Sequence, residues 1–153
     1  MTIPFRAIHG IDRPHEQHSQ GDARMPPPLL YVVDDDVATL ALLCDIAEDA
    51  GWDVRGFTRL ADLLESVETV RPDVMILDDD LPDGRGGDLA REVREDPRLE
   101  DVPFVVCTAA HPMRQAEIGS CAPVVSKPFE VGEIERFLQS VRRRRSGSYQ
   151  AAG

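Results

Sequence analysis

The chain has 153 residues, which suits one domain with a buried core, and its formal net charge is -11. This acidic balance excludes nucleic acid and anionic membranes as the main partners. The number of cysteines is odd, so we predict free thiols in a reducing compartment. The sequence has no apolar run of the roughly 20 residues that a membrane helix needs and no apolar secretory signal, so we predict a cytoplasmic protein.

The N-terminal segment, residues 1–28, has almost no periodic apolar pattern and ends in three consecutive prolines. Segments of this composition cannot bury enough apolar surface to fold, so we predict a disordered leader. We expect the folded domain to span residues 29–145 and a disordered tail to span residues 146–153.

From Leu29 onward the sequence alternates strand and helix signals. Short apolar runs predict five strands, each followed by a segment with helical spacing of its apolar residues; the strands are at 29–33, 52–57, 74–77, 104–107 and 123–125. This alternation indicates an α/β fold with a doubly wound parallel sheet. Right-handed crossovers with a single reversal of winding favour strand order 2-1-3-4-5, a flavodoxin-like three-layer sandwich.

Several residues mark the ends of the predicted helices. Asp36 is a candidate N-cap of the first helix, Gly51 suits its C-terminal cap, and Thr58 is a candidate N-cap of the second helix. The last helix, from about Glu130, ends in four arginines at 142–145. Cations suit the negative end of a helix dipole, so we predict a solvated helix end there rather than a nucleic-acid contact.

Polar side chains follow four of the five predicted strands. Asp34 and Asp35 end the first strand, Asp78 ends the third, Thr108 ends the fourth, and Lys127 follows the fifth. In an open parallel sheet the carboxyl ends of all strands lie along one edge, and ligands bind outside that edge. We therefore expect three carboxylates, a hydroxyl and an ammonium group to meet in one pocket.

The residue types in this pocket suit a divalent cation and a phosphoryl group. Carboxylates such as Asp34 and Asp35 are ligands for Mg²⁺. The Asp78 carboxylate can ligate the cation and can also attack phosphorus to form an acyl phosphate. Lys127 is the only lysine in the sequence, and its compact ammonium can neutralise a phosphoryl oxygen.

These residues resemble the receiver domain of bacterial two-component response regulators, which includes the single-domain chemotaxis regulators. The resemblance covers about residues 29–141. It is carried by four motifs: Val-Val-Asp-Asp at 32–35, Asp78 with Leu81, Pro82 and Gly86 downstream, Thr108-Ala109, and Lys-Pro-Phe at 127–129. All four motifs stand in order and at compatible spacing.

The resemblance implies a role for each site residue. Asp78 would be the phospho-acceptor, and Asp34, Asp35 and Asp78 would hold Mg²⁺ together with the backbone carbonyl of Asp80. Lys127 would pair with the phosphoryl group, and Thr108 would be the switch hydroxyl.

The resemblance also implies partners. A sensor histidine kinase or a phosphotransfer protein would donate the phosphoryl group, and the chain would signal to a downstream protein through protein–protein contacts without turning over a substrate. Val124 stands where the family usually has an aromatic residue that moves on activation. The sequence leaves the identity of the target and homodimer formation open.

Two alternatives remain open at this point. A receiver-like binding module could use the same fold without being phosphorylated. Asp78 and Asp80 also have the Asp-x-Asp spacing of haloacid-dehalogenase-like phosphatases, in which the first Asp is the nucleophile and the second is the acid/base. That phosphatase family places its motif on the first strand.

Overall fold

The structure is a computed structural model that describes residues 26–150. Residues 1–25 of the predicted leader and residues 151–153 of the predicted tail lie outside the described residues. The predicted boundary after residue 145 falls inside the last helix, which continues to Gln150. Among the described residues, no helix combines the length and the apolar character needed to cross a membrane.

Five strands alternate with five helices along the chain. In order, they are β1 (Leu29–Val33), α1 (Val37–Asp49), β2 (Asp53–Phe57), α2 (Leu60–Thr69), β3 (Val74–Asp78), α3 (Gly86–Glu95), β4 (Phe104–Thr108), α4 (Pro112–Gly119), β5 (Val124–Ser126) and α5 (Val131–Gln150). The strands form one parallel sheet in the order β2-β1-β3-β4-β5. The predicted doubly wound α/β fold and its strand order are confirmed.

The core lies on both faces of the sheet. Successive residues of a strand point to opposite faces, so in β1 Leu30 packs towards α1 and α5, whereas Tyr31 packs towards α2 and α3. Burial on both faces explains why the central strands read as continuous apolar runs instead of alternating patterns. The three cysteines are free, and Cys44 and Cys107 are buried in this core.

Both ends of α1 are capped as the sequence indicated. The Asp36 carboxylate accepts a hydrogen bond from the backbone N–H of Thr39 at 3.2 Å. Gly51, just past the helix, has a φ of +82°, a conformation that glycine adopts without steric cost.

The predicted Thr58 cap of α2 is wrong. The N-cap position is Arg59, whose side chain makes no capping hydrogen bond. The cap comes instead from Asp83, whose carboxylate accepts from the N–H groups of Leu60 and Ala61, both at 2.9 Å. Asp83 follows β3 in the chain, so a long-range contact replaces the local cap that the sequence pattern suggested.

Arg142 and Arg145, in the arginine run of α5, contact other parts of the domain. Arg142 donates to the carbonyl oxygens of Ala50 at 2.9 Å and Gly51 at 3.2 Å. Arg145 forms an ion pair with Asp73 at 2.5 Å, at the start of β3. These contacts attach α5 to the edge of the sheet opposite the carboxyl ends of the strands, which corrects the prediction of a purely solvated helix end.

Candidate functional site

The carboxyl ends of β1, β3, β4 and β5 bring the selected polar residues to one edge of the sheet. Asp34 follows β1, Asp78 is the last residue of β3, Thr108 is the last residue of β4, and Lys127 directly follows β5. The strands β1, β3 and β4 are buried on both faces, whereas β5 is an edge strand that is only partly buried. The sheet therefore fixes the backbone position of each of these residues.

Three carboxylates form a cluster at this edge. Asp34, Asp35 and Asp78 each offer one oxygen, and these oxygens lie within 4.8 Å of one another. Asp34 is 1% exposed and Asp78 is also buried, whereas Asp35 is exposed to solvent. Hard oxygen ligands of this kind, with one side open to water, fit Mg²⁺, which takes one or two carboxylates and keeps several waters.

The electrostatics of the cluster also fit a cation. Burial and the nearby charge of Asp34 raise the pKa of Asp78 to about 6, although Lys127 opposes this rise. Desolvation is the larger cause, because it penalises the charged form, and the repulsion between the Asp78 and Asp34 carboxylates adds to it. A divalent cation among these oxygens would relieve that repulsion, so the donor set suits Mg²⁺.

Lys127 connects two of the three carboxylates. Its Nζ lies 2.6 Å from Asp34 Oδ2 and 3.3 Å from Asp78 Oδ1. Burial alone would lower the pKa of Lys127, but its contacts with Asp34 and Asp78 outweigh burial and raise this pKa above its ordinary value. The side chain therefore stays an ammonium ion beside the candidate nucleophile.

The backbone around Lys127 holds this position. The peptide bond between Lys127 and Pro128 is cis, an isomer that is accessible mainly before proline. The backbone N–H of Lys127 donates to the carbonyl oxygen of Thr108 at 2.8 Å, so the segment after β5 stays attached to the end of β4.

Thr108 is buried at the same edge but is engaged with its own loop. Its Oγ1 accepts a hydrogen bond from the backbone N–H of Ala110 at 3.0 Å. Its neighbour Cys107 pairs with Asp78 across the sheet, so Thr108 lies one residue further along β4 at the same sheet edge.

The two acids that follow Asp78 have different surroundings. The backbone N–H of Asp80 lies 3.4 Å from Asp78 Oδ1, and its side chain is exposed. Asp79 is only 4% exposed, and its carboxylate accepts from the N–H of Gly87 at 3.1 Å and from the guanidinium of Arg114. The contact with Arg114 was not predicted from the sequence, because nothing in the spacing signals a contact across 35 residues.

The loop after Asp78 is held by specific contacts. Leu81 and Gly84 form an isolated antiparallel bridge, with the N–H of Leu81 donating to Gly84 O at 3.1 Å. Asp83 then caps α2 as described above. These contacts hold the loop in place, and the backbone N–H of Asp80 lies next to the carboxylate cluster.

Gly86 sets how closely α3 approaches Asp78. A Cβ at this residue would lie 2.2 Å from the backbone oxygen of Asp78, a distance at which one of the two segments must shift. We expect Gly86→Ala to lower the free energy of unfolding by about 1–3 kcal/mol, as overpacking of a core does. Urea unfolding followed by circular dichroism measures the change.

Gly119→Ala is the matched control for this prediction. Nothing lies within 4 Å of a Cβ at Gly119, so the same substitution should change stability by no more than about 1 kcal/mol. Equal unfolding midpoints for Gly86→Ala and wild type would contradict the close approach of α3 to Asp78.

Most of the chain matches known proteins. The family model of the response regulator receiver domain matches residues 30–139. The polar-differentiation response regulator DivK of Brucella anthropi is 24% identical over 119 residues, which cover 76% of this chain and 94% of DivK. The transcriptional regulatory protein GltR of Pseudomonas aeruginosa is 30% identical over 118 residues, which cover 75% of this chain and 49% of GltR.

Solved structures show the same fold. The chemotaxis protein CheY4 of Vibrio cholerae superposes with a TM-score of 0.67 at 23% identity, over 75% of this chain and 98% of CheY4. At this identity the likeness concerns the fold alone. The match to the family model, which covers well over half of the chain, carries the family assignment.

Proposed function

The chain belongs to the response regulator receiver domain family, and we propose that it accepts a phosphoryl group on Asp78 in a Mg²⁺-dependent reaction. One observation carries the proposal: Lys127 Nζ lies between Asp34 and Asp78, inside a cluster of three carboxylates. This arrangement combines a nucleophile, a fixed cation and the ligands for a metal ion at one point. A phosphoryl donor is the substrate class that needs all three.

The donor would be the phosphohistidine of a sensor histidine kinase or of a phosphotransfer protein. An oxygen of Asp78 attacks phosphorus, the new O–P bond forms as the N–P bond breaks, and the electron pair returns to the histidine nitrogen. With a pKa of about 6, Asp78 is mostly ionised at neutral pH and can act as the nucleophile. In-line positioning and charge stabilisation supply most of the catalysis in such transfers.

The charges in the site have separate tasks in this reaction. Bound Mg²⁺, held by Asp34, Asp35, Asp78 and the backbone carbonyl of Asp80, would neutralise charge on the phosphoryl oxygens. Lys127 offers an ammonium that needs no reorganisation, because its contacts with Asp34 and Asp78 already fix it.

The signal would leave the site through Thr108. The phosphorylated side chain adds charge of about -1.5 to -2 and new acceptor oxygens, taking phosphoserine as the guide. Thr108 would turn from Ala110 to donate to a phosphoryl oxygen, and the loop after β4 would follow it. The changed surface would then bind a downstream protein target in the cytoplasm.

The two alternatives have weaker support. The phosphatase alternative expects its nucleophile on the first strand, but Asp78 ends β3 and the Asp80 side chain is exposed. The phosphorylation-independent module would need no charged contact at Asp78, yet Lys127 is held there. We therefore expect phosphoryl transfer to Asp78 and no turnover of an external substrate.

Intact mass spectrometry tests the proposal. We expect the protein to gain one phosphoryl mass when it is incubated with acetyl phosphate and Mg²⁺, and no gain when EDTA replaces Mg²⁺. A receiver domain of known activity under the same conditions serves as the positive control. If that control gains the mass and this protein does not, the phosphotransfer proposal is wrong.

A further inference from the structure

Helix α4 is held to the rest of the domain by few apolar contacts. Of its eight residues, all in the described part of the chain, Ile118 alone is buried, and Met113 is 74% exposed. The helices α1 and α3 bury more: α1 buries five side chains, and α3 buries three side chains and two glycines. The polar contacts of α4 therefore have a larger share in fixing its position.

One of these polar contacts reaches the residue next to the acceptor. The guanidinium of Arg114 donates to both carboxylate oxygens of Asp79, at 3.3 Å and 3.2 Å. Such two-point, charge-assisted pairs fix geometry more strongly than a single neutral hydrogen bond. We call the Asp79–Arg114 ion pair the α4 clamp. Arg114 also lies 3.3 Å from Glu117 and 3.7 Å from Asp88.

The clamp has little freedom to rearrange. Asp79 is buried, and its Oδ1 also accepts from the backbone N–H of Gly87 at 3.1 Å. A Cβ at Gly87 would lie 2.9 Å from that oxygen and 3.2 Å from the Arg114 guanidinium, so glycine makes room for both groups. The carboxylate is thus fixed between α3 and α4, one residue beyond Asp78.

The next residue of α4 connects the helix to the loop that carries Thr108. Gln115 donates to the carbonyl oxygen of Ala110 and to Ser126 Oγ, both at 2.8 Å. The N–H of Ala110 in turn donates to Thr108 Oγ1. A turn of Thr108 towards Asp78 would therefore pull on Ala110, and through Gln115 it would pull on α4.

We propose that the α4 clamp restrains α4 in the position seen here and thereby opposes the rearrangement that follows phosphorylation of Asp78. This inference rests on the proposed function, and it assigns a regulatory contact to residues outside the predicted site. Val124 does not supply the aromatic side chain that the family usually moves on activation, and the clamp offers a different connection between site and surface. Coupling between two sites is reciprocal, so a clamp that opposes the switch must also weaken binding of a phosphoryl mimic.

The test compares two double variants, each of which neutralises both partners of one ion pair. The variant Asp79→Asn with Arg114→Gln removes the clamp and leaves the net charge unchanged. The control, Asp73→Asn with Arg145→Gln, removes an ion pair between α5 and the residue before β3, at the end of that strand away from Asp78. Asp73 also accepts a backbone hydrogen bond, from Leu29 at 2.7 Å, as Asp79 does from Gly87. The two pairs therefore match in charge and in this backbone contact, although the Asp79 pair is more buried.

The first readout is affinity for beryllium fluoride in the presence of Mg²⁺, measured by titration calorimetry. We expect the clamp variant to bind this phosphoryl mimic about fivefold more tightly than wild type. The control variant should bind it as wild type does. Unchanged or weaker binding by the clamp variant would overturn the proposal, because a contact with a purely structural role does not improve affinity when it is lost.

The second readout is amide hydrogen exchange in α4. Exchange should be faster in the clamp variant than in wild type without ligand, and wild-type exchange should rise when the mimic binds. If the amides of α4 are equally protected in wild type, the clamp variant and the control variant, the clamp is contradicted. This outcome is decisive even if a variant folds poorly. If the wild-type protein does not bind the mimic, the proposed function fails, and the coupling fails with it. If the wild-type protein binds the mimic and the clamp variant binds it with the same affinity, only the clamp is rejected.

Discussion

Lys127→Met should slow phosphorylation of Asp78 by acetyl phosphate about 100- to 1,000-fold, the usual cost of losing one fixed group that stabilises charge in a transition state. Methionine keeps an unbranched side chain of similar length but carries no charge. The buried Asp34 carboxylate then loses its partner at 2.6 Å, and no other lysine in the sequence can replace it. The initial rate of mass gain, measured at saturating Mg²⁺, gives the effect.

Lys127→Arg is the control for this prediction. Arginine keeps the positive charge, but its planar fork does not match a site built around a single ammonium nitrogen. We expect a rate between those of wild type and Lys127→Met, with circular dichroism spectra that show all three proteins folded. A Lys127→Met rate within threefold of wild type would show that the ammonium group takes no part in the transfer.

Asp78→Asn should stabilise the protein against unfolding in EDTA at neutral pH, although it removes the proposed acceptor. The pKa of Asp78 is raised from 3.8 to about 6 by burial and by Asp34, so its ionisation costs free energy in the folded state. Asparagine has a similar shape and no charge. At about 1.4 kcal/mol per pKa unit, the gain in the free energy of unfolding is about 1–3 kcal/mol.

The pH dependence distinguishes this effect from a general gain in packing. Because the folded-state pKa of Asp78 lies above its unfolded value, wild type in EDTA should lose stability as pH rises from about 4 to about 6. The advantage of Asp78→Asn should therefore disappear near pH 4 and be complete above pH 6. Thermal unfolding of both proteins at several pH values measures this difference in stability.

Added Mg²⁺ should reverse the order of the two proteins. A cation bound among Asp34, Asp35 and Asp78 stabilises the folded state by mass action, and the variant lacks one of the three ligands. Wild type should therefore gain more in melting temperature than Asp78→Asn does. Equal melting temperatures for the two proteins in EDTA at pH 7 would contradict the electrostatic account of the site.

The fold and the centre of the site were predictable because they depend on patterns that a sequence displays directly. Buried parallel strands appear as short apolar runs, and the residues that follow them must lie at one sheet edge. That rule places Asp34, Asp78 and Lys127 together, and the structure gives Lys127 Nζ within 3.3 Å of both carboxylates. The metal and the catalytic roles are proposals that follow from this geometry.

The contacts that the sequence did not reveal are those that depend on three-dimensional packing. Thr58 satisfies the local rule for a helix cap, but Asp83 reaches the same N–H groups from a distant loop. Asp79 looked like one more acid beside the acceptor, whereas its carboxylate is paired with Arg114. Arg142 and Arg145 of α5 contact residues at the edge of the sheet opposite the site, and no periodic pattern signals these contacts.

Mapping the phosphoryl group is the most direct test of the central claim. The protein is incubated with acetyl phosphate and Mg²⁺, the acyl phosphate is trapped by borohydride reduction, and tandem mass spectrometry of the peptides locates the reduced residue. We predict modification of Asp78 alone, and none in EDTA. Modification at another aspartate, with Asp78 unchanged, would contradict the assignment of Asp78 as the acceptor.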